Sequence, residues 1–356
     1  MLNRYLRIEK IFLWMLLFIP LSALAAFLID NPVIQFTTAI LAIIPIARIV
    51  GFATNEIALQ TNPTISGLVS ATFGNIIELI VAVFALQRGL VRVVQASVVG
   101  SILGNILLLI GMSVFVGGLR HKYQRFNNKA ANVSSTMLII AVVGVTIPSV
   151  YAFTNPASTH IPLLSDAVAL VLAAVYIGGL FFSLCTHRDL FDASDEIRAT
   201  RPKSLLSKKA AYTILLLATL VATVESDILV DAIQGTALDL GMTQTFIGVV
   251  LIAIITNIAE KASAVQFAIQ NKLDISLEIG MSSAIQIALF VAPLLVLASQ
   301  LFGFGFTLVF SMFEVVSILL AVMIINHLAA DGVCNWLEGI QLMSVYTIIA
   351  IVFYFV

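Results

Sequence analysis

Apolar residues run through this chain in blocks of about 20, the length that lets one helix cross the hydrocarbon core of a bilayer. Divided on that basis, the sequence predicts a leading helix at 11–29 and five helices at roughly 34–59, 64–87, 93–117, 131–153 and 163–185. After a polar interval come five more, at roughly 209–234, 244–270, 275–300, 305–327 and 340–355. The expected fold class is therefore an all-α polytopic membrane protein with about eleven transmembrane helices. Its expected parts are a leading helix within 1–30, a first five-helix unit at 31–186, a cytoplasmic linker at 187–208 and a second five-helix unit at 209–356. Ile11 to Ile29 follows Arg4, Arg7 and Lys10 as a signal peptide would, but it is long and lacks a small-residue cleavage site, so a retained helix is expected.

Polar residues break the apolar pattern at two related places. Gly74-Asn75-Ile76-Ile77-Glu78 is echoed by Thr256-Asn257-Ile258-Ala259-Glu260, and 257 − 75 and 260 − 78 are both 182. At the same offset Ser101 meets Ser283, and Ile65, Ile76, Ala82, Val83 and Leu107 meet identical residues at 247, 258, 264, 265 and 289. This is an ungapped internal repeat. An odd number of helices per repeat makes the two halves cross the membrane in opposite senses, the inverted-repeat plan of secondary transporters, whose sites lie where the halves meet.

Composition agrees with the pattern: 60% of residues are hydrophobic and 10% charged, against about 25% charged in a soluble globule. The formal net charge of −1, with no basic cluster interleaved with aromatics, gives no reason to expect a nucleic-acid partner. Lys and Arg collect on one set of loops, from Arg120 to Lys129, Arg188 to Lys209 and at Lys272, while Arg88 and Arg92 alone fall on the other. The N-terminus is thus expected in the cytoplasm and the C-terminus outside. The linker carries Asp189, Asp192, Asp195 and Glu196, but Arg188, Arg198, Arg201 and Lys203 balance them, and an ordinary solvated linker is expected. Cys185 and Cys334 are too few and too far apart for a disulfide framework or a zinc site, and both read as structural.

A carboxylate at the bilayer centre costs roughly 2.5–3.5 kcal/mol on insertion scales, so Glu78 and Glu260 are expected to face a cavity or a partner. Together they carry −2 when ionised, and hard oxygens at that charge suit calcium or manganese. Empty, they repel one another and favour protonation. Metal and protons therefore compete for the same oxygens, which makes Glu78 and Glu260 candidate metal ligands and proton carriers in one, as an exchanger requires. Asn and Glu three apart share a helix face, and Gly74 weakens the helix ahead of Asn75, freeing backbone carbonyls for a cation. Ser101 and Ser283 lie 101 − 78 and 283 − 260, or 23, residues beyond the glutamates, with Gln286 on the Ser283 face; alone, each is ordinary interhelical glue. Other membrane acids are Glu56, Glu225, Asp227, Asp231, Glu278 and Glu314. Glu56 and Asp227 occupy similar places late in the first helix of each half, where they brace the core or relay protons.

Four stretches resemble the cation/proton exchanger family of the calcium/cation antiporter superfamily: Gly67-Leu-Val-Ser-Ala-Thr-Phe-Gly-Asn-Ile-Ile-Glu78, Gly100-Ser-Ile-Leu-Gly-Asn105, Ser282-Ser-Ala-Ile-Gln-Ile-Ala-Leu-Phe290 and Asp331-Gly-Val-Cys-Asn-Trp-Leu-Glu-Gly339. The resemblance covers nearly the whole chain. It implies a membrane antiporter, not an enzyme, moving Ca2+ or other divalent cations against H+, with no cofactor beyond the transported ions. It maps the family's paired glutamates onto Glu78 and Glu260, its helix-breaking positions onto Gly74, Asn75, Thr256 and Asn257, and its supporting polar groups onto Ser101, Ser283 and Gln286. Two departures stand out: Thr256 replaces a glycine and Lys261 a histidine. Lys261 is expected to point away from the cation, since adjacent helix residues diverge by about 100°. A sodium-driven calcium exchanger shares the expected fold but carries a Gly-Thr-Ser-type run that is missing here. A cation channel is the other alternative. His121, His160, His187 and His327 form no hydrolytic dyad at depth. A compact chain of this kind suits a prokaryotic cytoplasmic membrane, and a vacuolar membrane fits the chemistry equally; a homo-oligomer is compatible with everything above.

Overall fold

Capping residues and internal breaks turn the hydrophobic blocks into helices of definite length. The structure is a computed structural model describing residues 12–61, 63–187 and 204–355. The expectations placed on Arg4, Arg7 and Lys10, and on the linker charges from Arg188 to Lys203, lie outside the described residues.

The helices are α1 Phe12–Leu28, α2 Pro32–Leu59, α3 Pro63–Phe73, α4 Ile76–Gln87, α5 Val91–Gly118, α6 Asn128–Thr154 and α7 Ile161–Thr186. Beyond the linker follow α8 Lys208–Leu240, α9 Gln244–Thr256, α10 Ile258–Ile269, α11 Leu273–Phe302, α12 Met312–Asp331 and α13 Trp336–Phe355. Asn31 caps α2 by accepting from the Ile34 amide, with Pro32 at the first helical position, and Ser207 caps α8 by accepting from Ala210. Ser311 and Glu314 form a reciprocal capping box at the start of α12. The short strand β1, Gln124–Arg125, pairs antiparallel with β2, Val333–Cys334.

Eight described helices are long and apolar enough to cross a membrane, and the bent pair α9–α10 makes a ninth. The protein is an all-α multi-pass membrane protein. The span expected at 64–87 is α3 and α4, each too short to cross alone; the chain turns at Gly74 and Asn75, where a weakened helix is expected. The expected helix at 244–270 is likewise interrupted, with a 58° bend between α9 and α10. The breaks keep the register of the repeat: α4 runs 76–87 and α10 runs 258–269, both ends 182 apart.

The most extensive helix pairing is α2 with α8. α5 is the innermost span, with 83% of its apolar window buried, whereas α7 and α13, at 17% and 22%, form the periphery. Lipid tails are as apolar as leucine, so helices here are held by close packing and hydrogen bonds rather than by exclusion of water. The crossing of α5 with α9 shows the requirement. A Cβ on Gly100 would stand 2.1 Å from the Val249 carbonyl oxygen, and one on Gly248 would stand 2.7 Å from both Ala96 Cβ and the Val93 oxygen. Two backbones meet there with no room for a side chain.

Cys185 is exposed and Cys334 buried, both as free thiols. Burial, reinforced by Glu338, pushes the Cys334 thiol well above its ordinary pKa, as an inert structural cysteine requires.

Candidate functional site

Two helix breaks of the same form build the site. Asn75 (φ −112°, ψ 23°) and Asn257 (φ −98°, ψ 14°) turn the chain in nearly the same way, and α4 and α10 start at the next residue. Glu78 and Glu260 consequently sit in the first turn of a half-helix, where free N–H groups and the positive end of the helix dipole favour an anion. The break falls at the expected positions: the Asn makes it, and the Glu belongs to the helix that follows. Asn75 and Asn257 are fully buried, while both glutamates are half-buried.

Hydrogen bonds tie the two halves together across these breaks. Asn75 Nδ2 donates to Gln286 Oε1 at 2.6 Å. Asn257 Nδ2 lies 3.3 Å from Ser101 Oγ, 3.2 Å from Thr256 Oγ1 and 3.2 Å from the Ala253 carbonyl oxygen. The Glu78 carboxylate lies near the Thr256 side chain, and that of Glu260 near Ser283. Ser283 Oγ in turn accepts from Asn105 Nδ2 at 2.8 Å. The carboxylates lie within electrostatic reach of one another. Glu78, Glu260, Asn75, Asn257, Thr256, Ser101, Ser283 and Gln286 thus converge. Gly74 lies beside them because a Cβ there would stand 2.5 Å from the Ser70 carbonyl oxygen and 3.6 Å from Gln286 Oε1.

Among the described residues three buried oxygens in this group, Asn75 Oδ1, Asn105 Oδ1 and Glu260 Oε2, have no hydrogen-bond partner. Buried acceptors are normally satisfied. Among the described residues no three His, Cys, Asp or Glu side chains gather to hold a metal, so a cation here would rest on two carboxylates and neutral oxygens, a hard donor set.

Sequence reasoning missed two members. Asn105, fully buried, also approaches Asn257 Oδ1 at 3.4 Å and lies in a π-helical stretch of α5, Gly104–Leu109. It has no counterpart in the repeat, where the equivalent position is Ile287, so the repeat does not mark it. A carboxamide inside an apolar helix was the available signal. Lys261 does not point away: it is 4% exposed, donates from Nζ to the Ala253 carbonyl oxygen at 3.3 Å, and lies within electrostatic reach of both glutamates. The bend at Asn257 exposes that carbonyl, and a long side chain reaches back over it; the repeat places Leu79 here instead.

Glu56 and Asp227 are not equivalent and do not join the site. Glu56 Oε2, near the end of α2, accepts from Ser204 Oγ (2.9 Å), Leu205 N (2.8 Å) and Leu206 N (2.9 Å), anchoring the chain that leads into α8. Asp227, in mid-α8, accepts from Arg88 at 2.6 Å, and Asp231 accepts from the same guanidinium at 2.5 Å. Glu314 serves the α12 cap, with Arg92 at 3.7 Å. Glu225 is buried with one oxygen unpartnered, and nothing in the structure explains it.

A bundle with two broken helices, acids at their half-helix starts and polar contacts between its halves has the construction of an ion transporter. The family model described as "Sodium/calcium exchanger protein" matches residues 31–185 and 210–355, and the chain belongs to this family, in its cation/proton antiporter branch. It is 41% identical to the Ca(2+)/H(+) antiporter of Synechocystis, over 98% of each chain. It is 38% identical to Ca(2+)/H(+) antiporter ChaA of Bacillus subtilis, over 94% of this chain and 96% of that one. The solved structure of native YfkE superposes with a TM-score of 0.85 at 36% identity, covering 97% of this chain and 100% of its own.

Proposed function

We propose that this protein is a secondary active antiporter that exchanges Ca2+ for H+, with Glu78 and Glu260 acting both as calcium ligands and as proton carriers. The observation that carries the reading is the meeting of two half-helix starts, each presenting a glutamate, amid buried oxygens that lack partners. Asn75, Asn257, Thr256 and backbone groups freed at Gly74 complete an all-oxygen shell of the irregular kind that Ca2+ accepts and Mg2+ does not. Ser101, Ser283, Asn105 and Gln286 hold that shell in place. When calcium leaves, two bare carboxylates in a low-dielectric interior repel, and protonation removes the penalty. The two ions thus exclude one another from one site, and metal binding releases protons. Lys261, within electrostatic reach of both glutamates, alters the field on the ions.

Access from one side at a time is supported by the unequal crossings of the repeat. Gly100 and Gly248 seal the crossing of α5 with α9. Their equivalents at the 182 offset, Ser282 on α11 and Ser66 on α3, line an open cavity instead. Alternating access would exchange which crossing is closed. We place the N-terminus in the cytoplasm of a prokaryotic cell, count eleven crossings by adding α1 and the α3–α4 pair to the nine, and read 31–186 and 209–356 as inverted five-helix repeats around the linker at 187–208.

Inverted membrane vesicles loaded acid inside test the reading. Ca2+ uptake is expected when the pH gradient is imposed and lost when nigericin collapses it. Uptake driven by a Na+ gradient instead would favour the sodium-coupled alternative and overturn the proposal.

A further inference from the structure

A cavity of about 550 Å³ lies between α3, α6, α7 and α11, lined among others by Ser66, Ser134, Ser183, Glu278, Ser282 and Gln286. Its inner end is the site already described, since Gln286 accepts the hydrogen bond of Asn75. Glu278, Ser282 and Gln286 follow at intervals of four residues along α11, so they share a face. Two turns of helix separate Glu278 from Gln286, about 12 Å at 1.5 Å per residue. The cavity is therefore a lined passage with a carboxylate near the α11 N-terminal end and the paired glutamates beyond the other.

Glu278 has no structural occupation. Among the described residues its carboxylate has no hydrogen-bond or ion-pair partner; Asp274 is a like-charged neighbour, and the Glu278 side chain is exposed where it lines the cavity. Asp274, one turn earlier, is different: the Asn127 backbone N–H donates to it, so it holds the start of α6 against α11. Nor does packing call for an acid at 278. The equivalent position in the first half is Ala96, which lies against Gly248 in the closed crossing. A charge within a membrane span is costly without a partner or a role, and here the carboxylate, with Ser66, Ser134 and Ser282 lining the same cavity, offers oxygen to a hydrated cation.

We infer that Glu278 is an entry site for the divalent cation, holding it still partly hydrated in the cavity before it passes to Glu78 and Glu260. The inference rests on the antiport reading and adds a step to it. One carboxylate supported by hydroxyls and water binds weakly, as sites with few charged ligands do, and weak binding suits a station that must release inward. Its effect is electrostatic: a carboxylate in a low-dielectric cleft raises the local concentration of cations, and salt screens that field.

The test is the calcium dependence of uptake in inverted vesicles, with Ca2+ added on the face onto which the cavity opens. Glu278→Gln is expected to raise the half-saturating Ca2+ about fivefold at ~10 mM ionic strength and much less at about 0.3 M, given the Coulomb energy of a single charge on a divalent ion at close range and its screening. Glu278→Cys, made together with Cys185→Ser, keeps the proposal falsifiable whatever the packing effect of Gln. A sulfonate-bearing methanethiosulfonate should restore low half-saturation, and an ammonium-bearing reagent should raise it further. Equal half-saturation in Glu278→Gln and wild type, or equal effects of the two reagents, would overturn the entry site. Equilibrium binding of radioactive calcium to the purified variants, run in parallel, reads the entry site even if wild-type uptake does not follow the pH gradient, so failure of the antiport reading and failure of this one are told apart.

Discussion

Each critical glutamate is placed by the residue three before it. Asn75 and Asn257 leave the helical conformation, and a new helix starts, so Glu78 and Glu260 inherit the favourable end of its dipole. An Asn followed three residues later by Glu is a helix-start spacing as well as a shared-face spacing; here a helix starts after each Asn, without a side-chain cap hydrogen bond. Glu78→Gln and Glu260→Gln each remove half of the ligand charge. Calcium exchange is expected to fall to background in either variant, while size-exclusion profiles stay like wild type because a neutral amide costs less in lipid than a charge; exchange at the wild-type rate in either would show that the site is not shared. Lys261 makes a separate residue-scale prediction. Its ammonium holds the Ala253 carbonyl and stands in the field of both acids. Lys261→Met should lower the half-saturating Ca2+ several-fold by removing a like charge from the cation's surroundings, read from uptake against calcium concentration. Glu78, Glu260 and their polar neighbours were legible because an acid in an apolar run is costly and the pair repeats. Asn105 and the inward course of Lys261 were hidden because each occurs once, and because the reach of a lysine depends on a bend angle that spacing does not encode.

Among the helices, breaks and close crossings matter more than length. Hydropathy located nearly every helix, since a membrane span must satisfy its backbone internally and leaves a long apolar run as its trace. It did not mark the turn between α3 and α4, where Gly74 was the signal, because apolar residues continue on both sides. Nor could it show the π-helical stretches Gly104–Leu109 in α5 and Ile287–Val291 in α11, which sit at nearly the same place in the two halves and beside site residues. The packing of α5 on α9 yields a sharp contrast. Gly100→Ala places a methyl against the Val249 backbone, which has no side-chain freedom to yield, and should lower the thermal midpoint in detergent by several degrees, as overpacking of about 1–3 kcal/mol would. Ser282→Ala, at the equivalent position on the open crossing, loses only a 3.5 Å contact to the Ile279 carbonyl oxygen and should leave the midpoint within about a degree. Similar midpoints for the two variants would mean that the crossings are not packed differently. Glu56 belongs at this scale too. Because its carboxylate gathers Ser204, Leu205 and Leu206, Glu56→Gln should make the chain near Leu206 cleave faster in limited proteolysis.

For the molecule as a whole, the account joins one shared site to two unequal crossings. On the proposed mechanism calcium binds to ionised Glu78 and Glu260 and the return without calcium takes them neutral, so two protons answer one divalent ion and no net charge crosses. A membrane potential of 100 mV, worth about 2.3 kcal/mol per elementary charge, then has little leverage on the cycle. The most direct measurement reconstitutes the purified protein into liposomes, fixes the pH gradient, sets the voltage with potassium and valinomycin, and records calcium and proton fluxes together. The account predicts opposed fluxes near two protons per calcium, with a rate that does not follow the voltage clamp. Calcium entry that follows the voltage without proton counter-movement would contradict it.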